Sequence, residues 1–469
     1  MYNNKIICEI LFVFLTNYGI ILLGGINMKV SLVTLGCAKN EVDSEMLLGF
    51  LKNIGFELEA NVEEAECIVV NTCGFIKSAK QEAIDTILDM AEYKKVGKCK
   101  HLIVTGCLAK RYKLQIEKEF PEVDLVIGVD EYINIDQIFS KYFSKEISSK
   151  LEFKDRIVSS VFPTAYLRIS DGCNNNCHYC AIPLIRGKLK SRKIEDIYDE
   201  AKYLVGKGIR ELVIIAQDTT SYGMDLYGKP MLYKLLKELS KLDELKWIRV
   251  LYMYPGKITD ELIEEFKINP KICKYFDIPL QHISDTMLKG MNRHTNKKEV
   301  YELVHKIRKE IPEAVLRTTF MVGYQGETTE DFKELIDAVK DLKFERMGAF
   351  TFSKEDDTVA ETMSGDVLEK VKKARYKTLM GEQQKVVNEF MSSNIGKTFE
   401  VLVTDVEESE KYFVCRSYMD APDVDPKMLL KIDKTSIANV VVGEWCNVEV
   451  IGIKGYDYIC KFTKGETNV

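Results

Sequence analysis

The amino-terminal part of the chain contains apolar runs that lead into cysteines. The runs lie at 29–35, 67–71, 101–105 and 123–129, and amphipathic stretches separate them. Three of them end near a cysteine, at Cys37, Cys73 and Cys107. The alternation predicts a parallel sheet covered by helices, and ligands bind outside the carboxyl ends of such strands. We therefore expect the three thiols to meet at one edge as a metal site. The alternative is three buried cysteines that act as small apolar side chains.

Residues 162 to about 353 continue the alternation of strands and helices. The expected strands are 164–170, 211–217, 247–254, 275–280, 315–322 and 344–352, and the expected helices include 194–205, 231–242, 297–310 and 329–341. Six strand–helix units are fewer than the eight of a closed barrel, so the pattern predicts an open six-unit barrel. A helical pattern from Val367 to Met391 then leads to short strand-like runs in 396–469. These runs predict a small five-stranded β-barrel of a type that often binds nucleic acid or protein.

A second set of three cysteines has the spacing C-x3-C-x2-C. Cys173, Cys177 and Cys180 follow the first expected strand of the barrel, at the end where barrel enzymes carry their chemistry. Three thiolates can hold a four-iron cluster and leave one iron open to a substrate or cofactor. The alternative is a zinc site with His178 as fourth ligand, because structural zinc normally has four protein ligands.

Composition limits the class of protein. The chain has 469 residues, 46% hydrophobic and 29% charged, which suits about three globular domains. A formal net charge of −6 argues against a nucleic-acid footprint over the whole chain. Thirteen cysteines in a chain of this length do not resemble a secreted disulfide framework, and six of them are placed for metal ligation, so we expect a cytoplasmic protein. Residues 1–27 include an apolar stretch without a clear cleavage site, and we expect a mis-called start or a disordered extension before Met28.

The C-x3-C-x2-C spacing resembles that of the radical S-adenosylmethionine superfamily. The resemblance implies that the open iron binds the amino and carboxylate groups of S-adenosylmethionine, and that an electron from the cluster releases a 5′-deoxyadenosyl radical. In such enzymes the protein binds and orients the cofactor and excludes side reactions. Gln217 and Asp218, at the end of the second expected barrel strand, are candidate contacts to S-adenosylmethionine. Helix or turn capping is the alternative role for them.

The order of the parts resembles the methylthiotransferases over essentially all of residues 28–469. The implied domains are a methylthiotransferase domain at 28–150, a radical domain with its linker helix at 160–395, and a TRAM-like barrel at 396–469. The resemblance also implies two four-iron clusters, with Cys37, Cys73 and Cys107 as ligands of the auxiliary cluster that carries or receives the inserted sulfur. One S-adenosylmethionine then donates a methyl group to sulfur, and a second supplies the radical.

One methylthiotransferase branch modifies an aspartate of small-subunit ribosomal protein S-twelve, and the other modifies adenosine in tRNA. Several stretches resemble the ribosomal-protein branch: LGCAKNEVDSE from Leu35, NTCGFI from Asn71, CAIPLIRG from Cys180, LYMYP from Leu251 and CRSYMDAPDVD from Cys415. The last stretch is the most discriminating. We therefore expect methylthiolation of the aspartate β-carbon by a sulfur-group transferase, with tRNA adenosine methylthiolation as the alternative.

Charge in the last domain bears on the same choice. Residues 396–469 contain nine Lys and Arg and thirteen Asp and Glu. Phosphate contacts dominate tRNA affinity, so an acidic barrel suits a basic ribosomal protein better. A merely solvated acidic face is the alternative. The basic run from Arg186 to Lys193 is expected to be the solvated start of a helix, and a surface that faces ribosomal RNA is the alternative.

Two positions differ from the family pattern, and several other residues are not expected to take part in the chemistry. VGYQGE ends at Glu327 where the family usually has Val-Gly-Phe-Pro-Gly-Glu, and Asp357 stands where it usually has glycine. Both departures concern loop shape more than activity. His282 is expected to be packed or hydrogen-bonded and not a general base. The remaining cysteines are expected to be structural: Cys8, Cys67, Cys99, Cys273, Cys415, Cys446 and Cys460.

A protein without chemistry, either an iron–sulfur electron carrier or an RNA-binding module, is the alternative from another class. The family resemblance implies two partners, ribosomal protein S-twelve, free or in the small subunit, and a reductant such as flavodoxin or ferredoxin. No membrane association is expected, and the sulfur donor is not indicated by the sequence.

Overall fold

A computed structural model of the chain describes residues 26–407 and 409–464. They form two compact units. The first comprises the described residues up to 160 together with 171–174 and 180–188, and the second comprises the remainder. The prediction of a mis-called start falls almost wholly on residues 1–25, which lie outside the described residues. Within the described ranges, no helix is long and apolar enough to cross a membrane.

The first unit is built on a five-stranded parallel sheet. Its elements are β1 (Lys29–Thr34), α1 (Ala38–Asn53), β2 (Glu57–Leu58), β3 (Cys67–Thr72), α2 (Lys77–Val96), β4 (His101–Gly106), α3 (Cys107–Glu119), β5 (Leu125–Gly128) and α4 (Ile135–Phe143). The strand order is β2-β1-β3-β4-β5, and every pair is parallel. Strand β3 is buried at each of its positions, as a continuous apolar run in a doubly covered parallel sheet requires. The four expected strands are present, and the short β2 is added at the edge.

Six parallel strands of the second unit form the open barrel. From 164 to 393 the elements in chain order are β6 (Thr164–Arg168), β7 (Ser170–Asp171), α5 (Ile182–Arg186), β8 (Lys190–Ser191), α6 (Ile194–Gly206), β9 (Glu211–Ile215), α7 (Met224–Tyr227), α8 (Leu232–Leu239), β10 (Trp247–Val250), α9 (Asp260–Ile268), β11 (Tyr275–Asp277), α10 (Asp285–Gly290), α11 (Lys297–Glu310), β12 (Val315–Val322), α12 (Thr329–Leu342), β13 (Arg346–Thr351) and α13 (Glu369–Ser393). The barrel strands pair as β10-β9-β6 and β11-β12-β13. A bridge between Ile248 and Ile272 extends the pairing beyond β10.

Local sequence explains where the barrel helices begin. Asn296 accepts a hydrogen bond from the backbone N–H of Glu299, and the Glu299 side chain accepts one from the Asn296 backbone. Thr328 and Asp331 make the same reciprocal pair at the start of α12. Such capping boxes satisfy N–H groups that have no partner inside the helix, and each contributes about 1 kcal/mol.

The carboxyl-terminal part of the second unit is a closed five-stranded barrel. Its elements are β14 (Thr398–Glu407), β15 (Tyr412–Ser417), β16 (Met428–Lys431), α14 (Lys434–Asn439), β17 (Trp445–Lys454) and β18 (Asp457–Phe462). The strand order around the barrel is β14-β15-β16-β18-β17. Register shifts lie between Val403 and Asp405 and between Val450 and Gly452, where extra twist helps a small sheet to close. The predicted fold class is thus confirmed in all three parts.

Glu211 joins the small barrel to the six-unit barrel. It is the first residue of β9, and its side chain is 0% exposed. Its carboxylate accepts hydrogen bonds from Arg416 Nη1 at 3.0 Å, Arg249 Nε at 3.1 Å and Thr164 Oγ1 at 2.9 Å. Although burial raises the pKa of this carboxyl, the charges of the two arginines outweigh it and lower the pKa to about 2. A buried ionic junction therefore closes the amino end of the barrel.

Three aspartates of the CRSYMDAPDVD stretch also face the six-unit barrel. The contacts are Arg346 Nη2 to Asp420 at 2.7 Å, Tyr166 Oη to Asp423 at 3.0 Å and Tyr275 Oη to Asp425 at 2.5 Å. Residues 396–469 contain nine basic and thirteen acidic residues. Without Arg416 and these three aspartates, which all have partners in the six-unit barrel, eight basic and ten acidic residues are left. The charge of this domain therefore favours a basic partner less than the sequence suggests, because part of the acidic excess is used inside the protein.

Candidate functional site

Three cysteines of the first unit lie at the carboxyl edge of its sheet. Cys37 is the N-cap residue of α1, and Cys107 is the first residue of α3. Strands β3 and β4 pair up to Thr72 and Gly106, the residues immediately before Cys73 and Cys107. The expected meeting of three sequence-distant thiols at one edge is therefore present, and their role as ligands stays a prediction.

Glycines let the cysteine loops approach each other closely. Gly36 has φ +100°, and a Cβ there would lie 2.8 Å from Cys73 Cβ and 3.2 Å from Cys73 Sγ. Gly106 has φ +101°, and a Cβ there would lie 2.4 Å from Asn71 Oδ1 and from Thr72 O. Side chains larger than hydrogen do not fit at these distances, and L-residues rarely adopt such φ values. The space beside the thiols is thus kept by residues with no side chain.

The three thiols differ in their electrostatic surroundings. Although desolvation raises the pKa of the Cys37 thiol, the Lys39 ammonium and the backbone N–H groups at the start of α1 outweigh it and hold that pKa below its ordinary value. Burial raises the pKa of Cys73 to about 12 and also raises the pKa of Cys107. The charges of Cys37 and Cys107 both act on Cys73, so the three sulfurs are within electrostatic reach of one another. Two of the thiols therefore need a positive counter-charge to ionise, as a bound metal provides.

The chemistry of the donor set decides which metal group three thiols can hold. In the described part of the chain, no group of three or more His, Cys, Asp and Glu side chains is placed to hold one metal ion. Zinc ligands lie about 2.3 Å from the metal, so their sulfurs must be close together. A four-iron cluster binds each thiolate on a different iron. Three thiolates are therefore a donor set that fits a four-iron cluster with one iron free of protein ligands.

Arg186 is buried beside this cysteine edge. Its Nη2 donates to Asp43 Oδ2 at 2.6 Å, to Asn40 Oδ1 at 3.0 Å and to Cys107 Sγ at 3.4 Å. Its Nη1 donates to Asp171 Oδ2 at 3.3 Å. The side chains of Arg186 and Asp43 are 3% and 1% exposed. A charged guanidinium therefore contacts one of the three candidate ligand sulfurs.

The position of Arg186 corrects one expectation from the sequence. The basic run from 186 to 193 was expected to be solvated, and Lys188, Lys190 and Lys193 are indeed exposed. Arg186 is buried, and Arg192 is paired with Glu200 at 2.5 Å. The expectation is wrong for these two arginines because buried carboxylates lie beside them, Asp43 for Arg186 and Glu200 for Arg192.

The C-x3-C-x2-C loop is divided between the units, with Cys173 and Cys180 in the first and Cys177 in the second. All three cysteines are partly exposed. The Cys173 backbone N–H donates to Gly187 O at 3.1 Å. In the second unit, Arg293 Nη1 lies 4.0 Å from Cys177 Sγ, and Arg293 Nη2 donates to a backbone carbonyl at 2.7 Å. Each set of cysteines therefore has an arginine beside one of its sulfurs, Arg186 at Cys107 and Arg293 at Cys177.

His178, the fourth ligand of the zinc alternative, is held by backbone. Its Nδ1 lies 2.9 Å from Gly290 O, and its own N–H donates to Met291 O at 3.0 Å. A ring nitrogen that donates to a carbonyl is not free to bind a metal, which leaves only Nε2. This contact orients the ring and does not exclude His178 as a metal ligand, because metal-binding histidines often donate their other ring N–H to a carbonyl.

Asp218 is the centre of a buried polar network. Its carboxylate accepts from Asn175 Nδ2 at 2.8 Å, Lys257 Nζ at 3.2 Å and the Ser221 backbone N–H at 3.1 Å. Although burial raises the pKa of Asp218, the Lys257 charge and these hydrogen bonds outweigh it and lower the pKa. Asp218 thus caps a turn and holds Asn175, a residue of the cysteine loop. Contact of Asp218 or its neighbour Gln217 with S-adenosylmethionine stays a prediction.

Two further positions behave as the sequence indicates. His282 is buried, with Nε2 3.2 Å from Glu327 Oε1 and Nδ1 accepting from Ser284 N at 3.0 Å. Asp357, which replaces a usual glycine, has φ +61°, a value that glycine adopts without strain. The left-handed backbone conformation at this position therefore explains why glycine is usual there.

Sequence reasoning missed four residues that contact the candidate cysteines or their loop: Asn175, Arg186, Lys257 and Arg293. Asn175 and Arg186 lie inside quoted motifs, so their proximity to the cysteines in sequence was a usable signal. Lys257 and Arg293 are far along the chain and carry no local signal. Only the tertiary fold brings them to the cysteine loop.

Models of known families cover most of the chain in three parts. The chain matches the uncharacterized protein family UPF0004 over residues 29–128, the radical SAM superfamily over 167–339 and the TRAM domain over 395–462. Among solved structures, the radical S-adenosylmethionine methyltransferase TsrM from Kitasatospora setae superposes with a TM-score of 0.53 at 14% identity, covering 69% of this chain and 73% of that one. Fold and sequence therefore define a radical S-adenosylmethionine protein with a TRAM domain.

Full-length relatives narrow the class. The chain is 48% identical to ribosomal protein uS12 methylthiotransferase RimO of Clostridioides difficile, over 92% of this chain and 98% of that protein. It is 46% identical to the protein of the same name from Clostridium botulinum, over 92% and 97%. The protein of that name from Alkaliphilus oremlandii is 44% identical, over 94% and 100%. The chain belongs to the ribosomal protein uS12 methylthiotransferase family, which confirms the resemblance found in the sequence.

Proposed function

We propose that this chain replaces a hydrogen on the β-carbon of an aspartate of ribosomal protein uS12 with a methylthio group. The observation that carries the proposal is the meeting of Cys37, Cys73 and Cys107 at one sheet edge in a chain that also contains a radical C-x3-C-x2-C loop. The relatives named as uS12 methylthiotransferases support the choice of substrate, because they match this chain over nearly its full length.

The proposal assigns different work to the two sets of cysteines. Cys173, Cys177 and Cys180 bind one four-iron cluster, and the cysteine edge of the first unit binds the other. When bound, the first cluster with S-adenosylmethionine supplies a reducing electron and an organic radical, and the auxiliary cluster supplies sulfur. The side chains of this protein hold the clusters, orient the cofactor and keep water from the radical. Gln217 and Asp218 are included as candidate contacts to S-adenosylmethionine.

Partners and domain limits complete the proposal. The domains are 28–150, 160–395 and 396–469, and the last contributes to binding of uS12. Reduction requires a one-electron donor such as flavodoxin or ferredoxin. A ribosomal substrate supports a cytoplasmic location for the reaction, where cysteines stay reduced.

Anaerobic reconstitution with iron, sulfide, S-adenosylmethionine and dithionite tests this function. The wild-type chain is expected to bind about eight iron atoms, to form 5′-deoxyadenosine and to modify isolated uS12. Cys177→Ala is expected to abolish 5′-deoxyadenosine, and Cys73→Ala to abolish modification while 5′-deoxyadenosine still forms. Cys446→Ala, a partly exposed cysteine of β17, is the matched control and is expected to behave as wild type.

The alternatives predict different products in the same assay. Methylthio-adenosine in tRNA with unmodified uS12 would show that the chain is the tRNA enzyme. Absence of 5′-deoxyadenosine from a reconstituted chain would show an electron carrier or a binding module. About four iron atoms per chain instead of eight would remove the auxiliary cluster from the proposal.

A further inference from the structure

Arg186 connects the two cysteine sets of the sequence through contacts within the first unit. It lies six residues after Cys180, and its guanidinium reaches Cys107 at 3.4 Å and Asp171 at 3.3 Å. Asp171 in turn lies two residues before Cys173. One buried side chain therefore holds the loop on both sides of the C-x3-C-x2-C motif against a candidate ligand of the auxiliary cluster.

The buried charge of Arg186 is balanced by Asp43. The pair is separated by 2.6 Å, and both side chains are almost fully buried. An arginine in such a pair remains protonated, so it is a permanent donor with fixed geometry. Removing one partner of a buried ion pair leaves the other uncompensated. Experiments on Arg186 must therefore consider Asp43 at the same time.

We infer that Arg186 is a positioning residue of the auxiliary cluster, which donates an N–H···S hydrogen bond to the Cys107 thiolate and sets the reduction potential of that cluster. This inference rests on the proposed function, because it requires a cluster at Cys107. Hydrogen bonds to the sulfurs of an iron–sulfur cluster stabilise its reduced, more negative state and raise its potential. Asp43 opposes this effect, because its carboxylate accepts from the same guanidinium nitrogen.

Two variants shift the potential in opposite directions if this inference is correct. Asp43→Asn keeps the donor to Cys107 and removes the opposing negative charge, so the potential rises. The double variant Arg186→Gln/Asp43→Asn removes the donor without leaving a lone buried charge, so the potential falls. We expect each change to alter the ratio of reduced to oxidised cluster at a fixed potential about tenfold, which is about 59 mV for one electron. A purely structural role for Arg186 does not produce shifts of opposite sign.

The measurement is an EPR-monitored redox titration of the full chain with Cys173, Cys177 and Cys180 replaced by alanine. That background isolates the auxiliary signal, and Arg192→Gln, which alters the paired arginine of the same basic run, is the matched control with an unchanged potential. Shifts of opposite sign at full iron content support the inference. If Asp43→Asn and Arg186→Gln/Asp43→Asn give the cluster the same reduction potential, Arg186 does not have the inferred role, and the proposed function is left intact. A background chain that binds no iron overturns both.

Discussion

The ionic junction at Glu211 gives a quantitative prediction about stability. The pKa of Glu211 falls from 4.5 to about 2 on folding, and its side chain is 0% exposed. A shift of about 2.5 units corresponds to about 3 kcal/mol, because each unit is worth about 1.4 kcal/mol. Since the folded pKa is depressed, this contribution is fully present above about pH 4.5 and is lost as the pH falls toward about 2. Replacing Glu211 also leaves Arg249 and Arg416 buried without their carboxylate.

Glu211→Gln is therefore expected to lower the free energy of unfolding by about 3 kcal/mol at pH 7. The assay is urea denaturation followed by tryptophan fluorescence. The two tryptophans of the chain, Trp247 and Trp445, lie at this junction with ring centroids 5.4 Å apart. Urea denaturation repeated at lower pH is expected to show a smaller difference between wild type and variant as the pH falls from about 5 toward 3.

A matched control distinguishes the loss of a buried carboxylate from the loss of a partly exposed one. Glu449→Gln removes a partly exposed partner of Lys461, 3.1 Å away, and is expected to cost less than about 1 kcal/mol. If Glu211→Gln unfolds within about 1 kcal/mol of wild type, or if its effect does not change with pH, the electrostatic reasoning about this junction is wrong.

Three further outcomes follow from the cysteine sites. Replacing Cys37, Cys73 and Cys107 together by alanine is expected to remove about half of the bound iron and one cluster signal while 5′-deoxyadenosine still forms; retention of both signals would contradict the second site. Gly36→Ala forces a Cβ to within 2.8 Å of Cys73 Cβ at φ +100°, so we expect a loss of about 1–3 kcal/mol in thermal or urea unfolding together with less auxiliary iron. His178→Ala is expected to leave total bound metal unchanged by elemental analysis, because three thiolates are enough to hold a four-iron cluster; zinc binding that disappears with this variant would support the zinc alternative.

Much of the fold could be predicted because strand and helix periodicity are local. The expected helix 297–310 and strand 315–322 coincide with α11 and β12. The expected strand 247–254 ends early, at Val250, although the next four residues are also apolar or aromatic. Tyr252 has φ +62°, which no strand residue adopts, and its loop is shaped by contacts with Asp277 rather than by its own sequence.

The candidate site was predictable in its cysteines and not in the residues around them. Thiols at strand ends follow from the alternation of a parallel sheet, so Cys73 and Cys107 are adjacent for topological reasons. Arg186 looks like part of a solvated basic run, because its partner Asp43 is 143 residues away. The CRSYMDAPDVD stretch discriminates between the two family branches, but its sequence does not show that three of its aspartates contact the six-unit barrel. Burial of a charge depends on distant partners, and periodicity carries no information about them.

Modification of uS12 in cells tests the central proposal most directly. The gene for this chain is introduced into a bacterial strain whose own uS12 methylthiotransferase has been deleted, and uS12 is then purified and digested for mass spectrometry. The wild-type chain is expected to add one methylthio group in place of hydrogen on an aspartate, and neither Cys73→Ala nor Cys177→Ala is expected to add it. Unmodified uS12 beside newly formed methylthio-adenosine in tRNA would contradict the proposal.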